Sequence, residues 1–205
     1  MSIFITFEGG EGGGKSVQAK ALYRKLLKMS IPALLTHEPG GTAFGRRIGR
    51  WLKWAQNADI SPLTELMLFN AARAQSVAEV IKPALSQGKV VISDRYDDST
   101  TVYQGYGRKL DLPMVKSVNK AATQGLKPDL TVLLDASVEE CFARKGDCKL
   151  DRFEQEAIAF HNQVREGYLK LAAEDPERWL VIDASQSKTK IGGIIWQRVS
   201  RLLKV

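Results

Sequence analysis

The sequence predicts an α/β three-layer sandwich, a five-stranded parallel sheet with helices on both faces. Three observations lead there. Short apolar runs alternate with stretches of helical periodicity along the 205 residues, the pattern of parallel strands joined by crossover helices. The first apolar run passes directly into a glycine-rich loop and then a helix. Two later runs end on aspartates, Asp94 and Asp135. Right-handed crossovers bring such strand ends to one edge of the sheet, and in open α/β sheets ligands bind at that edge.

The elements follow in order. Ile3–Phe7 is the first strand, and Ala19, Leu22, Tyr23, Leu26 and Leu27 then recur at helical spacing. Ala33–Thr36 reads as the second strand, and Phe44–Trp54 as a helix turning Ile48, Trp51 and Leu52 inward. Ser61-Pro62 is an N-cap followed by proline in the first turn. The helical pattern it opens runs to Pro83, where a kink or interruption is expected. Val90–Ser93 is a buried strand ending at Asp94, and Asp111-Leu112-Pro113 opens another helix. Leu130–Leu134 is the fourth strand, closing on Asp135. Asp151–Glu174 reads as one long helix stopped near Pro176, Leu180–Ile182 is the last strand, and a helix follows from about Ser187.

Length and composition suit one soluble domain spanning residues 1–205. No run approaches the ~20 apolar residues of a membrane span, and Ile3–Glu8 lacks the flanks of a signal peptide. Two cysteines, Cys141 and Cys148, make no disulfide framework. A cytoplasmic protein without membrane contact is expected. The formal charge of +7 fits a solvated basic surface, nucleic-acid binding or capture of small polyanions, and composition does not choose among them.

The strongest motif is Gly9-Gly10-Glu11-Gly12-Gly13-Gly14-Lys15-Ser16. It matches G-x-x-x-x-G-K-[ST] in the strand-to-helix setting that a P-loop requires. Glycines let backbone N–H groups converge on phosphate oxygens, and the helix N-terminus adds a positive dipole end. Lys15 is expected on the β- and γ-phosphates of ATP and Ser16 on Mg²⁺. Asp94 closes an apolar strand in the Walker-B manner and is the second candidate metal residue, although a strand-end aspartate also commonly caps a turn.

The reaction class follows by elimination. A guanine-reading Asn-Lys-x-Asp is absent where Leu133-Leu134-Asp135-Ala136 stands, which argues against a switch GTPase. A small P-loop kinase needs a second, arginine-rich anion site with an aromatic platform, and Phe69, Arg73 and Arg95 occur in suitable contexts. On pattern alone Phe69 reads equally as core beside Leu66 and Met67, and Arg73 as a surface charge. A catalytic base is not needed, because a phosphate acceptor is already ionised at neutral pH. Alignment and charge neutralisation suffice. His37 reads as a strand-end residue and His161 as a helix-face residue, both outside the motifs.

Several motifs taken together resemble thymidylate kinases over nearly the whole chain. They are Phe7-Glu8-Gly9 before the P-loop, Glu38-Pro39-Gly40-Gly41-Thr42, Leu68-Phe69-Asn70-Ala71-Ala72-Arg73, Asp94-Arg95-Tyr96, Ser99 to Gly107, and Asp151-Arg152-Phe153-Glu154. The resemblance implies an enzyme that phosphorylates dTMP to dTDP with ATP and Mg²⁺ in dTTP biosynthesis, as a homodimer that binds no nucleic acid. It implies that Phe69 stacks on thymine, and that Arg73 and Arg95 grip the acceptor, Arg95 at its phosphate. Glu11 would bind the sugar 3′-hydroxyl, Gln104, Ser99 and Thr100 would read the base edge, and Tyr103 would pack on the deoxyribose. Glu38 and Pro39 would form one wall. A P-loop binding protein with weak or lost kinase activity, or a kinase of another nucleoside monophosphate, is the alternative.

Three departures from the family pattern stand out. Val17 replaces a second P-loop hydroxyl. Gly49 stands where the family has arginine, with Arg50 the neighbour carried over in its place. The P-loop interior holds no basic residue, so the catalytic charge is expected from a lid over about residues 144–152, as in members that keep basic residues in the lid. Arg144 is favoured, Lys149 is next, Arg152 is a structural partner of Glu154, and Lys145 is a surface charge.

Overall fold

The computed structural model describes residues 2–54, 60–144 and 150–205. Its sheet has five parallel strands in the order β2-β3-β1-β4-β5. These are β1 (Ile3–Glu8), β2 (Ala33–His37), β3 (Val90–Asp94), β4 (Leu130–Asp135) and β5 (Trp179–Asp183). Central β1 is buried along its whole length, as a strand covered on both faces must be. Side-chain alternation splits it. Ile3, Ile5 and Phe7 join the core beneath α1 (Lys15–Lys28) and α9 (Lys188–Leu203), where Leu22, Leu26, Ile191 and Ile195 meet them. Phe4 faces the other way, onto Val77, Ile81 and Tyr96.

The opposite face is built from α2 (Ala43–Trp54), α3 (Pro62–Ser76), α4 (Lys82–Ser86), α5 (Asp97–Thr100), α6 (Leu112–Thr123), α7 (Val138–Ala143) and α8 (Ile158–Glu174). Ser61 caps α3 by accepting the Thr64 N–H, with Pro62 in the first turn, and Asp111 caps α6 by accepting from Met114.

Two sequence expectations are corrected, on Trp51 and on the start of the helix expected from Asp151. The interruption expected at Pro83 is present as a widened turn just ahead of it. Val77–Ile81 widens into a π turn in which the Lys82 N–H reaches the Val77 carbonyl, and α4 continues to Ser86. The wider turn relieves the clash of a proline ring with the carbonyl four residues back. Trp51 is 48% exposed, because α2 packs through Gly45, Gly49 and Leu52. Residues 151–156 form turns, and α8 starts only at Ile158. Asp151 accepts the N–H groups of Phe153 and Glu154 at 3.0 and 3.1 Å, and Glu154 accepts the Asp151 N–H at 2.9 Å. These side-chain bonds compete with the helical ladder. The Ser-, Thr- and Gly-rich stretch at Ser99–Gly107 is helical. It finishes α5 and continues as a π-helical segment from Thr101 to Gly107.

Candidate functional site

The loops after β1, β2 and β3 open on one edge of the sheet. After β1, residues 9–14 arch into α1. Gly9 has φ +133°, and a Cβ there would lie 2.5 Å from the Leu134 carbonyl oxygen, so only glycine lets the loop cross the end of β4. Buried Lys15 donates from Nζ to the Gly10 carbonyl at 2.6 Å. Burial holds its pKa below the usual lysine range, Arg95 adds to the depression, and Glu11 and Asp94 oppose it.

The register pairs Phe7 with Asp94, which sets the Asp94 carboxylate beside the P-loop. Ser16 Oγ donates to Asp94 Oδ2. A hydroxyl and a carboxylate oxygen converging beside a phosphate cradle are the hard oxygen donors that Mg²⁺ takes. Both line an open cleft with Gly12, Gly14, Lys15 and Val17. Val17 is 47% exposed in it.

A second, smaller cleft adjoins the first, and Glu11, Glu38 and Arg95 line both. Its wall brings together Glu11, Glu38, Pro39, Phe69, Arg73, Arg95, Ser99, Thr100, Tyr103 and Gln104. Four residues without an assigned role, Lys53, Tyr96, Asp151 and Phe153, complete it. Phe69 is half-buried and meets the Phe153 ring at 5.6 Å between centroids. The two rings make an aromatic wall beside the guanidinium groups.

Arg73 is buried with its fork fully engaged. It donates to Glu38 at 2.8 Å, Thr100 at 2.8 Å, the Tyr96 carbonyl at 3.0 Å, Asn70 at 3.2 Å and Asn119 at 3.4 Å. Glu38 keeps one buried oxygen, Oε1, without a partner, and burial raises its pKa against the pull of Arg73.

Arg95 stands in the left-handed region, φ +74°, a conformation that costs a non-glycine residue about 1–2 kcal/mol. Its backbone is held by the Arg95 N–H to the Phe7 carbonyl at 3.0 Å and by Ser93 Oγ to the Arg95 carbonyl at 2.7 Å. Nη2 donates to Glu11 at 2.5 Å and to Tyr103 OH at 3.2 Å, and the guanidinium lies 5.1 Å over the Tyr103 ring.

Gln104 donates its amide to Glu65 at 2.6 Å. Fully buried Glu65 also accepts from Arg108 at 3.3 Å and Arg152 at 2.5 Å. Arg152 is therefore a partner of Glu65 and of the Leu52 carbonyl, at 2.9 Å, while Glu154 serves the Asp151 turn.

Other predicted residues lie apart. Arg50 is exposed on α2 and lines neither cleft. Gly49 is buried where α2 crosses Pro39, and a Cβ there would sit 3.0 Å from Pro39 Cγ and 3.2 Å from its carbonyl oxygen. A larger side chain there would need Pro39 to shift. Arg144 is exposed and donates to the Ala184 carbonyl, just past β5, at 2.9 Å. Lys145 and Lys149 fall outside the described residues. His161 lies on α8 as expected, on its buried face and edge-on to Phe142 and Phe160.

Sequence reasoning quoted Glu8 and Phe153 only as parts of motifs, and it missed Glu65 and Tyr168. A carboxylate at the end of an apolar strand was a signal for Glu8. Nothing local marked Tyr168.

Comparison with known proteins places the chain beside one family. The family model described as thymidylate kinase matches residues 7–192. A thymidylate kinase of Dehalococcoides mccartyi (strain ATCC BAA-2266 / KCTC 15142 / 195) is 54% identical over 205 residues, all of this chain and 99% of that one. One from Roseiflexus castenholzii is 46% identical over 201 residues, 91% of this chain and 88% of its own. Among solved structures, the thymidylate kinase of Ehrlichia chaffeensis superposes with a TM-score of 0.79 at 30% identity, covering 97% of this chain and 98% of its own.

Proposed function

This chain belongs to the thymidylate kinase family and phosphorylates dTMP with ATP, and we propose that the reaction runs across the two adjoining clefts. ATP takes the P-loop cleft and dTMP the smaller one. The observation that carries this assignment is the 2.5 Å bond between Glu11 of the P-loop and Arg95 of the acceptor cleft, a direct link between donor and acceptor sides.

The dTMP phosphate replaces part of the Arg95 hydrogen-bond set and lies in line with the γ-phosphate over Lys15. Thymine packs on Phe69, with Arg73, Ser99, Thr100 and Gln104 along its edge. Tyr103 fills the space a ribose 2′-hydroxyl would need, and Glu11 takes the 3′-hydroxyl. Ser16 and Asp94 hold Mg²⁺, which supplies charge neutralisation on the phosphates. Lys15 follows the transferring group, and Arg144 leaves Ala184 to add positive charge from the donor side. No proton has to be removed before attack, so the chain's work is alignment and charge stabilisation.

We also propose a homodimer, supported by exposed apolar side chains on α2 and α3, among them Trp51, Leu63 and Met67. A cytoplasmic setting fits the substrates, and no described helix is long and apolar enough to cross a membrane.

An ADP-release assay across the common nucleoside monophosphates tests the reading. We expect dTMP above dUMP by roughly 10- to 200-fold at most, the range one methyl group allows, and both well above UMP. A better acceptor than dTMP would overturn it.

A further inference from the structure

Glu8 ends β1 with its carboxylate wholly buried. Oε1 accepts the Tyr96 N–H at 2.8 Å. Oε2 accepts two hydroxyls, Ser99 Oγ at 2.6 Å and Tyr168 OH at 2.8 Å. A hydroxyl has one proton to give, and both are spent on Glu8. The two oxygens lie 2.9 Å apart, and their lone pairs are what remain. Arg95 Nη1 donates to both, at 3.0 Å to Ser99 and 3.2 Å to Tyr168. The Tyr96 bond meanwhile anchors the peptide that follows the left-handed Arg95. A neutral carboxyl or an amide could not do the same work. Either would bring its own donor to the pair and turn one hydroxyl towards Arg95.

We propose that Glu8 is the positioning residue of the acceptor site: by fixing the proton direction of the Ser99–Tyr168 pair, it holds the Arg95 guanidinium aimed at the acceptor phosphate. The inference rests on the reading of Arg95 given above. Glu8 itself does not touch the reactants. The charged and titratable groups that face it are Arg95 and Lys15, Asp97 and Asp98, and the phenols of Tyr103 and Tyr168. Burial, helped by Asp98 and opposed by Arg95, pushes its pKa up to about 7. The hydroxyl arrangement therefore loosens as pH falls through neutrality.

The test is steady-state kinetics of the wild type, Glu8→Gln, Tyr168→Phe and Arg95→Ala from about pH 6 to 8.5, with melting curves. Glu8→Gln should raise KM for dTMP about tenfold, the scale of a hydrogen bond to a charged group, with KM for ATP nearly unchanged and no loss of melting temperature at pH 8. Tyr168→Phe should raise it less, and the two effects should not add. Wild-type KM should climb on the acid side more steeply than that of Glu8→Gln. Protonation of the dTMP phosphate, with a second pKa of about 6, acts on both enzymes and cancels in the comparison. Should Glu8→Gln fail to fold, Tyr168→Phe at pH 8 still decides, an unchanged KM for dTMP counting against the proposal. An unchanged KM for dTMP, a parallel rise in both KM values with a lower melting temperature, or identical pH profiles would overturn the proposal. If Arg95→Ala also left the dTMP KM unchanged, the underlying site reading would fall. If only Arg95→Ala raised it, the Glu8 inference alone would fall.

Discussion

Arg95 and Glu11 meet at 2.5 Å, an ion pair between the residue after β3 and the middle of the P-loop. Both side chains are partly exposed, so the pair is within reach of anything that enters either cleft. It makes the P-loop and the cleft lined by Phe69 and Arg73 one electrostatic unit.

Glu11 should therefore matter to the acceptor although it belongs to the donor loop. Glu11→Gln is expected to lower kcat/KM for dTMP by about 10- to 100-fold, the range of a lost charge-assisted hydrogen bond. Removing the sugar 3′-hydroxyl from the substrate should cost the wild type a similar factor and the variant much less. Equal losses in both enzymes would separate Glu11 from the sugar.

On the donor side, Lys15→Ala should slow turnover at least about a hundredfold. Arg144→Ala should slow it more than about tenfold. Neither should change dTMP affinity, because both charges act mainly in the transition state. Single-turnover rates with separately measured dTMP binding check this. Normal turnover in Lys15→Ala would contradict the P-loop assignment, and a silent Arg144→Ala would leave that guanidinium to its Ala184 contact.

Tyr103 offers both a ring and a hydroxyl, and the two can be told apart. Tyr103→Phe keeps the ring near the sugar and loses the bond to Arg95, so the dTMP-to-UMP ratio should hold while KM rises modestly. Tyr103→Ala opens the space for a 2′-hydroxyl, and the ratio should collapse. An unchanged ratio in Tyr103→Ala would remove the tyrosine from sugar selection.

Stability should carry the imprint of Glu8. Its folded pKa of about 7 lies above the ordinary 4.5. A raised pKa means that the contribution is fully present below about pH 4.5 and is lost as pH rises through about 7, for a total near 3 kcal/mol. Denaturant unfolding of the wild type and Glu8→Gln at about pH 5.5 and 8 measures it. Glu8→Gln should gain about 2 kcal/mol on the wild type between those two values. A difference that does not move with pH would contradict the buried-charge account.

The sequence displayed most of what repeats or recurs at fixed spacing. The strands, the P-loop, the Asp94 strand end and the Ser61 and Asp111 caps are local signals, and each was legible. That Phe69, Arg73 and Arg95 would share one cleft was implied by the resemblance alone, since Phe69 and Arg73 look like an ordinary helix face until Glu38 and α5 are folded beside them. What escaped depends on contacts far apart in the chain. Tyr168 comes to Glu8 across 160 positions. Trp51 faces outward because α2 packs through Gly45 against the Gly40–Thr42 turn and through Gly49 against Pro39. The Asp151 turn replaced a helix because short side-chain bonds outcompeted the ladder, a balance that periodicity does not report.

The central claim is that Arg95 grips the acceptor phosphate in the cleft lined by Phe69 and Arg73. The most direct measurement is titration of dTMP and of thymidine into the wild type and Arg95→Ala, without ATP. The account predicts that Arg95→Ala loses about 10- to 100-fold in dTMP affinity and almost nothing for thymidine. Equal weakening of both ligands, or of neither, would contradict it.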